Sequence, residues 1–285
     1  MRVVSWNVNF PGPRRAERLG AVLHNDSPDL VLLQEVNPGS AEVLRQAAGV
    51  DWIIRADELD PVVRGASVSS HVVAVAGYGP CPRDATLIAG VPHPLRILLV
   101  TTTVDGAEIT AGSYHAPPGV SYGIDKARQA VTFARWLTHR TGPILFGADA
   151  NTPVVDAHDF ANTRTHWHTG LRKLLGEPGD DLLFGPGKVH LLEDALRRWL
   201  LAHPDDAAAL RLSAPLGPLA VTHRTGRRNN PSRAGTGQRY DSIWVSRHWG
   251  VRHIHHYYDE PPGAASDHAR VVANMYIVPS GPSLD

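Results

Sequence analysis

Asp267 and His268 stand directly before "ARVVANMYIV", an apolar run that reads as a buried strand. Two ionisable groups at that point are either turn chemistry at a solvated strand start or reactive groups held in place by a rigid element. Five other polar clusters share the placement, each at the end of an apolar run. They are Asn7 and Asn9 in "SWNVN", Gln34 and Glu35 in "LQEV", Tyr114 and His115 in "SYHAPP", Asp149 and Asn151 in "GADANTP", and Arg239, Tyr240 and Asp241 in "QRYDSIWVS". Each alone has an ordinary explanation as a turn cap, a helix N-terminal carboxylate, a core histidine or an Asx-turn. Their recurrence points instead to one rim of a packed scaffold, where strand ends collect groups from distant parts of the chain. Carboxylates, histidines and amides without a ligand-placed cysteine suit hard oxygen-seeking ions, Mg2+ or Mn2+, and the chain lacks the HExxH that would argue for zinc. That inventory suits phosphate-ester hydrolysis: a metal neutralises phosphoryl oxygens, a carboxylate aims or deprotonates water, and His and Asn hold the charge that develops.

The elements that must carry these groups are short β-branched runs bounded by Gly, Pro and Asp: "RVVSWNV", "DLVLLQEV", "DWIIRA", "SVSSHVVAVAGY", "LRILLVTTTV", "AEITAGSYHA", "GPILFGADA", "YDSIWVS" and "RVVANMYIV". Asp105-Gly106 reads as a hairpin turn between two of them. Apolar spacing of three and four predicts helices over about Arg14 to His24, Ala41 to Ala48, Asp125 to Arg140 and Asp194 to Ala202. Hairpins among the strands argue against an all-parallel sheet, so the expected architecture is α/β, two mixed sheets packed face to face with helices outside. The whole chain, 1–285, is read as one domain, with an elaborated, partly mobile loop insertion at about 152–239.

Composition excludes little. Basic and acidic side chains balance at 28 each, so affinity for a polyanion must come from a local patch. Cys81 is the single cysteine, which rules out an intrachain disulfide framework and fits a reducing compartment. Set between prolines with no assignable base, it reads as a loop residue. The N-terminus enters a strand pattern at once, and no stretch approaches the roughly 18 apolar residues of a membrane span. The expectation is a cytoplasmic protein with no obligate protein partner.

The ordered series "SWNVN", "PDLVLLQEV", "GASVSS", "SYHAPPG", "GADANTP", "QRYDSIWVS" and "SDHARV", running from Ser5 to Val271, resembles the endonuclease/exonuclease/phosphatase superfamily. That superfamily includes DNase I, exonuclease III-type abasic-site endonucleases, neutral sphingomyelinases and inositol polyphosphate 5-phosphatases. The resemblance implies a four-layer α/β sandwich. It also implies roles: Glu35 as principal Mg2+ ligand with Asn7 beside it, Asp267 facing the metal, Asp149 orienting or deprotonating water, and Asn151 on a non-bridging phosphate oxygen. Asp241 would fix the tautomer of His268, and His268 would donate to the scissile phosphate or act as general acid or base. His115, in "HAPP", stands where DNase I-like and sphingomyelinase-like members carry histidine and abasic-site enzymes carry tyrosine. Gln238 replaces the abasic-site branch's tryptophan. Glu58 is the residue assigned as acid partner of His115, and His71 occupies a position where a basic residue is common.

Substrate choice in such a scaffold lies in loops. The basic end of the insertion supplies Arg224, Arg227, Arg228 and Arg233, which would grip backbone phosphates, and Trp167 would stack a base. "RHIHHYY", with His253, His255 and His256, alternates like an exposed strand face rather than a metal site. The function expected is a Mg2+-dependent phosphodiesterase with nucleic acid, DNA foremost, as substrate. The alternatives are an inositol phosphate or phospholipid head group as substrate, and a degenerate binding module.

Overall fold

The computed structural model describes residues 1–60, 71–104, 106–118, 122–165, 179–224, 237–258 and 265–278. Strands β1 (Arg2–Asn7), β2 (Leu30–Val36), β3 (Trp52–Arg55) and β4 (Val72–Gly77) join β13 (Trp249–Tyr257) and β14 (Arg270–Ile277) in one six-stranded sheet, ordered β13-β14-β1-β2-β4-β3. A second six-stranded sheet, ordered β5-β6-β7-β8-β12-β9, holds β5 (Asp84–Thr86), β6 (Ile97–Val104), β7 (Ala107–His115), β8 (Ile144–Asp149), β9 (Glu193–Asp194) and β12 (Asp241–Val245). A small ribbon pairs β10 (His223–Arg224) with β11 (Gly237–Gln238). The helices are α1 (Pro13–Asp26), α2 (Ala41–Ala48), α3 (Ile124–Thr138), α4 (Asp181–Phe184), α5 (Ala195–Ala202) and α6 (Pro204–Ser213).

Period-two alternation in the second sheet assigns each residue to a layer. Leu98, Val100, Leu145, Ile243 and Val245 join the core shared with the first sheet, whereas Ile97, Leu99, Phe146 and Trp244 join a second core with Ala130, Phe133 and Leu137 of α3. The central strands of the first sheet, β1, β2 and β4, are buried on both faces, because α1 adds Ala16, Leu19 and Leu23, and α2 adds Leu44, to the shared core. The sheets approach closely at Gly147, where a Cβ would overlap the Ser5 side chain and meet Leu32 Cβ at 3.0 Å. These layers form the α/β sandwich of two mixed sheets that the sequence implies.

The hairpin joining β6 to β7 is present, with Val104 opposite Ala107; Asp105 itself lies outside the described residues. The sequence pattern missed α6, none of whose residues is buried and which therefore lacks an apolar stripe. Its only signals are Pro204 at the start and Asp205 and Asp206 in the first turn. Within the segment read as an insertion, β9 adds an edge strand beside β12, and Ala195 and Leu196 of α5 enter the shared core.

Arg239, grouped by sequence with the polar strand ends, is instead buried in an ionic network. Its Nε lies 2.6 Å from Asp156 Oδ2 and its Nη2 lies 2.7 Å from Asp194 Oδ2, while Arg197 Nη2 reaches Asp156 Oδ1 at 2.5 Å. Burial alone would raise the Asp156 pKa, but the neighbouring guanidiniums of Arg239 and Arg197 lower it on balance. Asp156→Ala would strand two arginines without their shared carboxylate, and a loss of about 3–5 kcal/mol in unfolding free energy is expected. Denaturant titration measures it, and a loss below about 1 kcal/mol would refute the network's structural role.

Candidate active site

Strand direction brings the polar clusters together. β1 and β2 run parallel, β7 and β8 run parallel, and β12 and β14 run against β8 and β1, so the C-terminal ends of the first four meet the N-terminal ends of the last two. In the second sheet the register sets His115 opposite Asp149 and Asp149 opposite Asp241, a row of three across adjacent strands. From the first sheet Asn7 crosses the gap, its Nδ2 donating to Asp149 Oδ2 at 2.7 Å. Glu35 is re-aimed by an irregularity in the β2–β4 register between Leu33 and Val36, where its own φ is +52°.

Asn9, Phe10 and Asn151 share this left-handed backbone, at φ +51°, +46° and +47°. Such conformations cost of order 1–3 kcal/mol in a non-glycine residue, and four of them around one rim mark a site where geometry is held against local preference. Hydrogen bonds hold it: Asn7 Oδ1 accepts from the Asn9 N–H at 2.9 Å, Asp149 Oδ1 accepts from the Asn151 N–H at 3.0 Å, and Asn151 Nδ2 donates to the Ala116 carbonyl at 3.2 Å. Below the loop, the buried Lys126 ammonium donates to the Ala150 carbonyl at 2.8 Å.

Charge in the site is polarised. Burial opposes the ionised form of Glu35, yet hydrogen bonding from His71 and the charges of His115 and His71 hold its pKa down at about 2. His115 is fully buried, which lowers its pKa to about 4 against the pull of Asp149; Arg96 adds to the lowering. The Arg96 Nη1 lies 2.7 Å from His115 Nδ1, and a guanidinium only donates, so Nδ1 accepts and the ring proton belongs on Nε2. That Nε2 faces Glu35 Oε1 at 3.3 Å and Asp149 Oδ2 at 3.6 Å.

Asp241 and His268 form a dyad across the two sheets. His268 Nδ1 lies 2.9 Å from Asp241 Oδ2, leaving Nε2 directed toward Asp149 Oδ2 at 4.0 Å. Burial would depress the His268 pKa, but the carboxylates of Asp241 and Asp149 override it and raise it to about 10. His268 is therefore an imidazolium at neutral pH, with its position fixed by a fully buried acid.

Most of the sequence-selected residues thus converge: Asn7, Glu35, His115, Asp149, Asn151, Asp241 and His268 all line the rim. Two sets, Glu35–His115–Asp149 and Asp149–Asp241–His268, bring ligand-type atoms within 4.8 Å of one another. Asp267 belongs to neither set; its Oδ1 accepts from Asn9 Nδ2 at 2.7 Å. Gln34 is structural, its Nε2 donating to Ser113 Oγ at 3.0 Å between the sheets, and Tyr114 turns away to stack on Phe133. Glu58 is not the partner of His115: it closes a turn with Arg55, Oε1 lying 3.0 Å from Nη1, and Glu35 takes the place beside His115. His71 does approach the site, its Nδ1 lying 3.1 Å from Glu35 Oε2. Arg224 is exposed on β10, while Arg227, Arg228, Arg233 and Trp167 lie outside the described residues. His253 and His255 are exposed on β13, as their alternation indicated, whereas His256, read with them as part of an exposed face, is partly buried.

Sequence reasoning missed Arg96. Its guanidinium is buried against His115 and Tyr122, and among the described residues no carboxylate lies within 4.0 Å of it. An arginine ahead of an apolar strand is too common to attract notice, and only the fold shows that it ends beneath His115.

Fold and rim together define an α/β sandwich of the DNase I type with a polar, acid-rich rim. The chain belongs to the Endonuclease/Exonuclease/phosphatase family, whose model matches residues 4–268. Among solved structures it is similar to D. rerio TDP2 complexed with a single strand DNA product, at 14% identity and TM-score 0.64, covering 97% of this chain and 98% of that one. It is also similar to an endonuclease/exonuclease/phosphatase from Bacteroides vulgatus, at 15% identity and TM-score 0.63 over 97% and 98% of the two chains. The human Nocturnin catalytic domain with bound sulfate anion matches at 15% identity and TM-score 0.61 over 98% and 94%. A search of curated proteins found no match. Among the described residues no helix is long and apolar enough to cross a membrane.

Proposed function

We propose that the protein is a Mg2+-dependent phosphodiesterase that hydrolyses nucleic acid, DNA foremost, in a reducing compartment. The observation that carries this reading is the placement of Asp149 within 4.0 Å of both histidines, one held neutral and one charged. Two histidines poised differently around one carboxylate suit a reaction that moves a proton and stabilises phosphoryl charge at the same centre.

The donor set fits a hard cation. Glu35 is anionic at any working pH, Asn7 adds an amide beside it, and the Asp149 carboxylate lies within 4.8 Å, while Asp267, bonded to Asn9, would join only as an outlying ligand. His115, with its proton on Nε2, is a donor rather than a ligand, which favours oxygen ligation. When bound, such an ion neutralises phosphoryl oxygens as a Lewis acid. The remaining work belongs to the chain. Asp149 accepts the proton of an attacking water or aims it. His268, fixed by Asp241, and His115, backed by Arg96, donate toward the non-bridging oxygens. Asn151 holds a phosphoryl oxygen. Exposed Arg224, with Arg227, Arg228 and Arg233 in the same segment, supplies sequence-independent phosphate contacts. The single strand DNA product in the D. rerio structure supports nucleic acid over the other phosphoesters.

The test is cleavage of end-labelled single- and double-stranded DNA in Mg2+, with an EDTA control. Metal-dependent cutting is expected, together with a rise in melting temperature on adding Mg2+ that Glu35→Gln removes. No cutting by the folded protein would overturn DNA as substrate.

A further inference from the structure

Thr222 and His223 join the two strand ends that carry the dyad. Thr222 Oγ1 accepts from the backbone N–H of Tyr240 at 2.8 Å and of Asp241 at 3.1 Å, and the Thr222 carbonyl accepts from the Ala269 N–H at 2.8 Å. The next residue brings its ring into the site. The His223 imidazole lies on that of His268, centroids 4.4 Å apart and planes 22° from parallel, and also stacks with Tyr240 at 6.0 Å. Its Nδ1 lies 3.1 Å from the Asp267 carbonyl oxygen; a carbonyl only accepts, so that nitrogen carries a proton and donates it.

The dyad needs such a support. The bond from His268 Nδ1 to Asp241 fixes one edge of the imidazole but leaves the ring able to tilt about that contact. A second ring lying nearly parallel to it removes the tilt. His223 is itself anchored twice, by its Nδ1 bond to Asp267 and by the Thr222 bonds on either side of the dyad, so it is a stiff platform.

We propose that His223 is a positioning residue for His268, its ring serving as the wall that sets the plane of the catalytic imidazole. The proposal rests on the phosphodiesterase reading of the rim and goes beyond it by assigning a role to the returning end of the insertion.

His223→Ala and His223→Phe in the full chain test it, the second keeping a flat ring while removing both nitrogens. His223→Ala is expected to lower kcat by about tenfold to a hundredfold, the scale of a small misplacement, with KM little changed. His223→Phe is expected to recover most of that loss. A second readout needs no activity: the His268 ring protons, resolved by NMR, carry a ring-current shift that His223→Ala removes and His223→Phe retains. Wild-type kcat in His223→Ala, or a His223→Phe variant as slow as His223→Ala, would overturn the proposal. If the wild-type protein cuts no phosphoester, the functional reading fails, whereas the ring shift still decides whether His223 supports His268.

Discussion

Asp149→Asn is expected to lower kcat for phosphodiester cleavage by about a thousandfold while leaving KM within a few-fold, the size of effect that follows loss of a general base. The carboxylate is buried, and each oxygen already has a donor: Oδ2 takes the Asn7 amide at 2.7 Å and Oδ1 takes the Asn151 N–H at 3.0 Å. An amide of the same size replaces one acceptor with a donor, so it must confront either Asn7 or Asn151 with an N–H facing an N–H. It also removes the negative charge that helps raise the His268 pKa and opposes the burial of His115. The variant therefore loses a proton acceptor, the registration of Asn151 and part of the field around both histidines in one change. Retained circular dichroism and a cooperative melt would assign the loss to chemistry rather than to unfolding. A loss of less than tenfold would remove Asp149 from the reaction.

Much of this site was legible in the sequence because strand direction is legible. A carboxylate or histidine at the edge of a β-branched run has nowhere to go but the end of a strand, and parallel pairing of β1 with β2 and β7 with β8 then places those ends on one rim. Family motifs did the rest for Asp241 and His268, which sit 27 residues apart in the chain and 2.9 Å apart in space. Partners set by three-dimensional return paths were not legible. Arg96 meets His115 because β6 and β7 form a hairpin, with Ile97 opposite Tyr114, and no local pattern marks the arginine as the next residue along. Glu58 lay upstream of His115 as the expected acid, but a turn with Arg55 satisfies it locally. His223 follows an irregular segment with no periodicity to place it, and its stack on His268 depends on how that segment folds back. Helix α6 escaped for a simpler reason: with no buried face it writes no hydrophobic period.

Asp241→Asn is the second substitution expected to disable the enzyme, by about a hundredfold to ten-thousandfold in kcat, since the same exchange behind the histidine of a serine protease costs about 10^4 through the wrong tautomer. Here Asp241 receives His268 Nδ1 at 2.9 Å, so the ring presents Nε2 to the site. An asparagine offering its NH2 group at that point would favour a bare Nδ1 and abolish the imidazolium. The pH dependence gives a separate signature. Burial would lower the His268 pKa; Asp241, then Asp149, raise it to about 10. A pKa raised on folding contributes stability that is fully present below the unfolded value near 6.5 and is lost as pH rises through about 10. Wild-type protein should lose stability across that interval. Asp241→Asn should show little of the loss there, because its histidine no longer gains a proton on folding. The alkaline limb of the rate profile should move down in the same variant, since the charged donor disappears at a lower pH. Parallel stability and rate profiles for the two proteins would therefore separate a dyad that orients and charges His268 from a hydrogen bond that merely packs the strand ends. If Asp241→Asn leaves both profiles where they are in the wild type, the dyad has no part in the chemistry.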